Sequence, residues 1–255
     1  MPAPEQIELL SIVGISKYFD ASPQPALNDI SFSVYEGDCI VLSGANGSGK
    51  TVLMTIIAGL EKPSSGSVIL RKQEGDTRIG LVFQDADAQI LGDTVEEDIL
   101  FGIRNNRLPS ALITEKLEAV LNLTGLTGKN RLPARTLSGG EKRRLAAAGV
   151  LMMDCDIIIF DEPFANLDFA GVTQVTALIE RLLAQKKTLI IITHELEKIL
   201  AAANRLMILH EGRLVYDALP EDALYTGILE QYGIKNPLCS YRQLADLIWK
   251  TDNAR

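Results

Sequence analysis

The sequence contains few cysteines, histidines and aromatic residues, and it has no long apolar run. Of its 255 residues, three are cysteine, two are histidine and 5% are aromatic. An odd number of widely spaced cysteines argues against a disulfide framework and favours a reduced, cytosolic compartment. The longest apolar stretches, such as residues 52–60, are far shorter than the roughly 20 residues that a membrane-spanning helix needs. We therefore expect neither a disulfide-rich secreted protein nor an integral membrane protein.

The sequence also has fewer basic than acidic residues. The chain has 25 lysines and arginines against 33 aspartates and glutamates, which gives a net charge of −8. This balance argues against nucleic acid as the main partner and against direct adhesion to anionic lipid. The first six residues show neither the basic nor the apolar segment of a secretory signal. We expect any membrane role to run through a protein partner.

The most informative stretch is a glycine-rich segment with the pattern G-x-x-x-x-G-K-T. It comprises Gly44, Ala45, Asn46, Gly47, Ser48, Gly49, Lys50 and Thr51. A β-rich segment precedes it and a helical segment follows, which is the context that this pattern requires. Glycines let successive N–H groups face phosphate oxygens, and a helix N-terminus favours anions. Lys50 would reach the β- and γ-phosphates and the Thr51 hydroxyl would bind Mg²⁺, so the pattern predicts a nucleoside triphosphate site. The alternative is an ordinary glycine-rich turn, which the Lys-Thr pair and both flanking segments disfavour.

A second stretch places two acids at the end of an apolar segment. Residues 157–160 are Ile-Ile-Ile-Phe, and Asp161 and Glu162 follow them. Parallel sheets form their sites at the carboxyl ends of their strands. Asp161 suits a role in holding Mg²⁺ through water, and Glu162 suits a role in orienting and deprotonating the attacking water. A pair of solvated acids at a strand end is the alternative, and the glycine-rich segment upstream makes it less favoured.

The residues from Ser138 to Glu141 allow two interpretations. Ser-x-x-Glu is a capping box that would open a helix over residues 142–152. That local role leaves Gly139 and Gly140 unexplained, since glycine weakens the first turn of a helix. Bare N–H groups there, with the Ser138 hydroxyl, would instead form a second anion site. On these residues alone, both interpretations stay open.

Three further positions are candidates for the same site. His194 follows a predicted strand and could approach the γ-phosphate, although a lone histidine at a strand end is usually structural. Gln84 follows another predicted strand and could reach the same edge of the sheet. Phe19, or its neighbour Tyr18, could stack on a base, although aromatic residues before a turn more often serve packing.

The order of predicted elements indicates an α/β fold. Two β segments, residues 7–16 and 26–35, have no helix between them and should pair antiparallel. Strands then alternate with helices, which points to a parallel sheet. A helical region interrupts this alternation at about residues 85–150. From residue 220 the chain predicts a small helical tail that ends in a helix at 243–250, so we divide the chain into residues 1–219 and 220–255.

Taken together, these stretches resemble the ATP-binding-cassette (ABC) ATPases. The matching motifs are Walker A at 44–51, the Q-loop at Gln84, the signature at 137–141, Walker B at Asp161 and Glu162, the D-loop at 166–168, and the switch histidine at His194. The resemblance implies a P-loop NTPase core with an antiparallel β subdomain, an inserted helical subdomain and a C-terminal helical extension. It also implies ATP and Mg²⁺ as cofactors, with Gln84 beside the metal and the attacking water and Asp168 at the nucleotide. It further implies a head-to-tail dimer in which Ser138 of one subunit meets the ATP held by Lys50 of the other, and this favours the functional interpretation of the signature.

A closer resemblance is to the ATPases of energy-coupling factor transporters, which import cobalt, nickel, biotin and other vitamins. It rests on residues 83–89 and 94–102 and on the helical tail. It implies a peripheral protein on the cytoplasmic face of the membrane, which contacts an integral membrane subunit through residues 84–102. Asp85-Ala86 departs from the usual Asn-Pro, Glu141 stands where Gln is common, and Phe164 stands where Thr is common. The alternatives are the ATPase of a conventional importer and a soluble cassette ATPase of the iron–sulfur cluster assembly type.

Overall fold

The structure is a computed structural model that describes residues 6–20, 23–71, 77–104 and 109–238. The strands are β1 (Glu8–Lys17), β2 (Leu27–Tyr35), β3 (Cys39–Ser43), β4 (Ser65–Leu70), β5 (Ile79–Val82), β6 (Ile157–Asp161), β7 (Thr188–Ile192), β8 (Arg205–His210) and β9 (Arg213–Ala218). The helices are α1 (Lys50–Ile57), α2 (Ala86–Gln89), α3 (Val95–Phe101), α4 (Ser110–Thr124), α5 (Gly139–Met152), α6 (Phe169–Ala184), α7 (Pro220–Tyr225) and α8 (Ile228–Gln231). The helix expected at residues 243–250 lies outside the described residues.

The main sheet has the strand order β5-β6-β7-β3-β8-β9 in the described part of the chain. Its strands run parallel except for β9, which forms a hairpin with β8. Every residue of β3, β6 and β7 is buried, as expected for apolar strands covered on both faces. The predicted α/β class and parallel sheet are therefore confirmed.

A second sheet has the order β2-β1-β4 and is antiparallel throughout. The sequence predicts the pairing of β1 with β2, but it does not place β4 in this sheet. Its buried side chains share one apolar core with α1 and with residues from one face of the main sheet. Helix α1, which follows the glycine-rich segment, therefore packs between the two sheets. This packing fixes the orientation of its first turn.

The helical region joins the main sheet through α5. This helix packs against α2, α3, α4, α6 and β5. Most of its residues are buried, so it is part of the common core and not a solvent-exposed arm. The limits of the helical region and of the division at residue 219 remain predictions.

Two helices add detail to the predictions. Helix α5 begins at Gly139, three residues before residue 142, because the Ser138 cap starts the helix directly after itself. The four-residue helix α2 was not predicted, because the segment is too short to show helical periodicity. Asp85 caps this helix by accepting a hydrogen bond from the Asp87 N–H.

Within the described ranges, no helix has the length and apolar character that crossing a bilayer demands.

Candidate nucleotide site

The carboxyl ends of β3, β5, β6 and β7 border one open cavity of about 360 Å³. Its lining includes seven of the sequence-predicted site residues outside the glycines, namely Asn46, Lys50, Thr51, Gln84, Asp161, Glu162 and His194. These positions span almost 150 residues of sequence and meet because parallel strands end at the same edge of the sheet. The structure thus brings them together, while their individual roles remain predictions.

The glycine-rich loop connects β3 to the first turn of α1. Gly49 has φ +103°, and a Cβ there would lie 2.5 Å from the Ala26 carbonyl oxygen, so only glycine fits. Lys50 starts α1, and its Nζ donates hydrogen bonds to the carbonyls of Gly44 (2.7 Å) and Ala45 (3.0 Å). Burial lowers the pKa of Lys50, and the charges of Glu162 and Asp161 oppose that shift. The Ser48 hydroxyl is buried without a hydrogen-bond partner. The loop therefore offers a cation, a hydroxyl and a helix N-terminus to phosphate oxygens.

Asp161 and Glu162 sit in different surroundings. Asp161 ends β6 and is buried, and this burial, followed by the charge of Glu162, raises its pKa, while Lys50 and Arg143 oppose the rise. Glu162 has φ +43°, which is a left-handed conformation that glutamate rarely adopts. Non-glycine residues in that conformation cluster at functional sites, because surrounding contacts must hold them there.

Glu162 faces His194 across the end of the sheet. The His194 Nδ1 lies 3.1 Å from each carboxylate oxygen of Glu162. Only the contact with Oε1 has hydrogen-bond geometry, so Oε2 is left buried without a partner. The imidazole itself is well exposed. The pair therefore presents an unsatisfied carboxylate oxygen beside a ring that a ligand can reach.

The predicted capping box at Ser138 is confirmed. The Ser138 N–H donates to Glu141 at 2.8 Å, and the Glu141 N–H donates to the Ser138 hydroxyl at 3.4 Å. Gly140 has a packing role, because a Cβ there would lie 3.2 Å from the Cα of Gly171 on α6. Gly139 has none, since a Cβ would meet only Leu167 at an ordinary 3.5 Å. Local structure thus explains Ser138, Glu141 and Gly140, but not Gly139.

The signature residues and Asp168 lie away from the Lys50 cavity of their own chain. Ser138, Gly140 and Asp168 do not line it. Gly139 lines a neighbouring cavity of about 380 Å³, which it shares with Gln84 and Leu167. Asp168 caps α6 by accepting a hydrogen bond from the Gly171 N–H at 2.7 Å. One chain therefore does not bring these residues to the glycine-rich loop.

The proposed base-stacking residue is likewise not at the cavity. Phe19 is partly exposed, and the Lys17 ammonium lies 5.1 Å from its ring centre. Neither Phe19 nor Tyr18 borders the cavity. The lining residue that is closest to them in sequence is Ala26. The stacking of Phe19 on a base therefore stays a prediction.

Two side chains that the sequence did not single out hold the edges of the site. Gln89 accepts a hydrogen bond from the Phe83 N–H (3.0 Å) and donates one to the Leu81 carbonyl (2.9 Å). It thereby fixes the end of β5 immediately before Gln84. Arg143 donates to the backbone carbonyls of Glu162 and Ala165. Gln89 belongs to the segment 83–89 on which the closer resemblance rests, but neither contact could be predicted, because both side chains bind backbone groups that only the folded chain brings near.

The ion pair between Glu141 and Lys129 gives a pH prediction. Hydrogen bonds from Lys129 and then from Ser138 lower the pKa of Glu141 from 4.5 to about 2. A lowered carboxyl pKa stabilises the folded state fully above about pH 4.5, and the contribution is lost as pH falls toward 2. Glu141→Gln should therefore reduce the free energy of unfolding by about 1 kcal/mol at pH 7, and by less near pH 3. Urea unfolding of both proteins at the two pH values measures this, and a difference that grows at low pH would contradict it.

Comparison with known proteins identifies the family. The ABC transporter family matches residues 27–165. An energy-coupling factor transporter ATP-binding protein, EcfA2 of Methanospirillum hungatei, is 38% identical over 78% of this chain and 52% of its own length. The cobalt import ATP-binding protein CbiO of Syntrophus aciditrophicus is 36% identical over 95% of this chain and 88% of its own length. The chain thus spans about half the length of the first relative and most of the second.

Solved structures agree with this comparison. The structure of cbiO1 from Clostridium perfringens, described as part of the ABC transporter complex cbiONQ, has a TM-score of 0.78 and 28% sequence identity. The match covers 91% of this chain and 96% of that one. The resemblance drawn from the motifs is therefore confirmed at the level of fold and family. The chain belongs to the ABC transporter family, among the ATP-binding proteins that include those of energy-coupling factor transporters.

Proposed function

We propose that the protein hydrolyses ATP to power an importer of the energy-coupling factor type, which takes up a metal ion or a vitamin. The observation that carries this proposal is the meeting of Lys50, Thr51, Asp161, Glu162 and His194 around one cavity. The relatives named for energy-coupling factor transport and for cobalt import support the choice of importer.

The donor set of the cavity fits ATP with Mg²⁺. In the described part of the chain, no three His, Cys, Asp or Glu side chains form a metal-binding cluster. A resident ion would therefore share its coordination with phosphate oxygens, as Mg²⁺ commonly does. Thr51 would supply a hydroxyl ligand, Asp161 would hold the ion through water, and Gln84 would lie beside it. When bound, Mg²⁺ would neutralise charge on the phosphates during transfer.

We propose that Glu162 acts as the general base. Its carboxylate would take a proton from a water molecule as that water attacks the γ-phosphorus and the bond to the β–γ bridging oxygen breaks. The products are ADP and phosphate. His194, at 3.1 Å from the carboxylate, would orient Glu162 and contact the γ-phosphate from its exposed side. Lys50 would turn from the loop carbonyls toward the phosphates as they arrive.

The site is completed by a second ATPase subunit, identical or paralogous. Ser138, Gly139 and Asp168 do not line the cavity of their own chain, and Gly139 has no packing reason to be glycine. Both observations fit a head-to-tail dimer in which these residues face the nucleotide of the partner. An isolated subunit should then bind ATP but hydrolyse it poorly.

Residues 84–102 form the proposed contact with an integral membrane subunit at the cytoplasmic face of the membrane. Leu91 and Phe101 are exposed there, as is Phe83 next to this stretch. Asp98 fixes the loop that carries Leu91, because its carboxylate accepts hydrogen bonds from the N–H groups of Leu91 (2.7 Å) and Gly92 (2.9 Å). The loop thereby holds the exposed side chain of Leu91 in place within residues 84–102. We propose no nucleic acid partner.

Co-purification from solubilised membranes tests this function. We expect the protein to bring down an integral membrane subunit, and mass spectrometry of the sample to show whether a second ATPase is present. Leu91→Asp should lose the membrane subunit, because it puts a charge on the apolar contact. Leu60→Asp, at an equally exposed leucine outside residues 84–102, is the control and should keep it. Recovery without any membrane subunit would contradict the importer and favour the soluble cluster-assembly type. A conventional importer would instead be recognised by the kind of membrane subunit recovered.

A further inference from the structure

Helix α5 carries two adjacent buried arginines that hold different parts of the fold. Arg143 and Arg144 are 8% and 7% exposed. Arg143 donates hydrogen bonds to the carbonyls of Glu162 (2.5 Å) and Ala165 (2.7 Å). Arg144 donates to the carbonyls of Thr124 (2.8 Å) and Gly125 (3.0 Å) and to the side chain of Gln174. Arg143 therefore contacts the candidate active site, and Arg144 supports the helical region.

The two carbonyls that Arg143 holds are the two ends of one turn. The Ala165 N–H donates to the Glu162 carbonyl at 3.2 Å, which closes a turn over residues 162–165. The two terminal nitrogens of the planar guanidinium therefore donate hydrogen bonds to the carbonyls of residues i and i+3 of that turn. Lysine cannot reproduce this, because a single ammonium lacks the fixed fork of donors.

Glu162 needs such support. Its φ of +43° is unfavourable for a side chain with a Cβ. Its N–H is held by the Ile192 carbonyl at 2.8 Å, and its carbonyl is held by Arg143. These two contacts clamp the peptide groups on both sides of the Cα from which the carboxylate extends. Releasing one of them allows the backbone to relax and moves the carboxylate away from His194 and the cavity.

We propose that Arg143 is a positioning residue for ATP hydrolysis, which holds the Glu162 carboxylate in its reactive place by clamping the turn 162–165. The inference rests on the proposed function, because it requires Glu162 to act as the base. Arg143 does not line the cavity that Lys50 and Glu162 border, so it acts through the backbone of Glu162. Arg143 lies one helical turn after Gly139, so it also ties the helix that begins at Gly139 to the base of its own chain.

The test compares Arg143→Lys with Arg144→Lys, a matched control at the next position with the same burial and the same kind of contact. Turnover at saturating ATP, the KM for ATP and the unfolding midpoint are measured for both. Arg143→Lys should lower kcat at least tenfold, and on the order of 10²-fold if the carboxylate moves by about 1 Å, with KM changed less than about twofold. Arg144→Lys should lose similar stability but keep kcat per folded molecule. If Arg143→Lys is insoluble, Arg143→Gln replaces it in the same comparison.

Combination with Glu162→Gln separates the inference from the proposed function. If Arg143 acts only through Glu162, Arg143→Lys should cause no further loss of turnover in the Glu162→Gln background. Wild-type kcat in Arg143→Lys, an equal loss in Arg144→Lys, or an additive loss in the double variant would each overturn the positioning role. Normal turnover in Glu162→Gln alone would instead overturn the assignment of the base.

Discussion

Replacing Glu162 with Gln is expected to lower ATP turnover by roughly 10²–10⁴, the usual contribution of a general base. This corresponds to about 3–5 kcal/mol in the activation barrier. The amide keeps the size and shape of the carboxylate but cannot accept the proton of the attacking water. ATP binding should persist, because Lys50, Thr51 and the glycine-rich loop are unchanged. Phosphate release and ATP affinity measured on the same preparation separate the two effects.

Glu195→Gln is the control for this substitution. Glu195 follows His194 directly, is partly buried and pairs with Lys198, but it does not line the cavity. Its replacement should leave turnover unchanged apart from any loss of folded protein. Normal turnover in Glu162→Gln, or an equal loss in Glu195→Gln, would show that Glu162 is not the base.

Replacing Ser138 with Asp is expected to lower ATP turnover strongly while leaving the ATP affinity of the same chain unchanged. Aspartate is as good an N-cap as serine, so α5 should remain capped. Its charge would face the phosphates of the partner's ATP, and a like charge at an interface costs several kcal/mol, so turnover should fall by about 10² or more. The ATP of its own chain is unaffected, because Ser138 does not line that cavity.

Ser138→Asn is the matched control, since asparagine caps a helix equally well without the charge. It should unfold at the same denaturant concentration as Ser138→Asp and retain much more turnover. ATP binding to single subunits and steady-state phosphate release are the two measurements. If Ser138→Asp weakens ATP binding in an isolated subunit, Ser138 acts in its own chain and the shared site is wrong.

The sequence predicted most of the residues at the cavity, because each lies in a recognisable local pattern of neighbouring residues. Lys50 and Thr51 lie in a spaced pattern, and Asp161 and Glu162 follow a strand of uninterrupted apolar residues. A parallel sheet brings the ends of such strands together without further information. Positions as distant in sequence as Gln84 and His194 can therefore be assigned to one edge of the sheet from the sequence alone.

The contacts that hold the site could not be predicted in the same way. Gln89 and Arg143 bind backbone groups, which carry no sequence signal, and α2 is too short to show a helical period. Residue type and position do not decide whether Phe19 stacks on a base, and that role stays a prediction. Gly139 and Gly140 weaken the first turn of α5, yet the Ser138 cap and the close approach of α6 at Gly140 compensate for them.

The mass of the Glu162→Gln variant with and without ATP and Mg²⁺ tests most directly the claim that the site is shared between subunits. Light scattering should give about 27.8 kDa for the free chain and twice that mass once ATP binds, because hydrolysis can no longer reopen the dimer. Any second ATPase found in the membrane preparation is added in a parallel sample. Adding Ser138→Asp to the same variant should prevent the doubling. A mass that stays at that of one chain in saturating ATP, alone and with the second ATPase, would contradict the account.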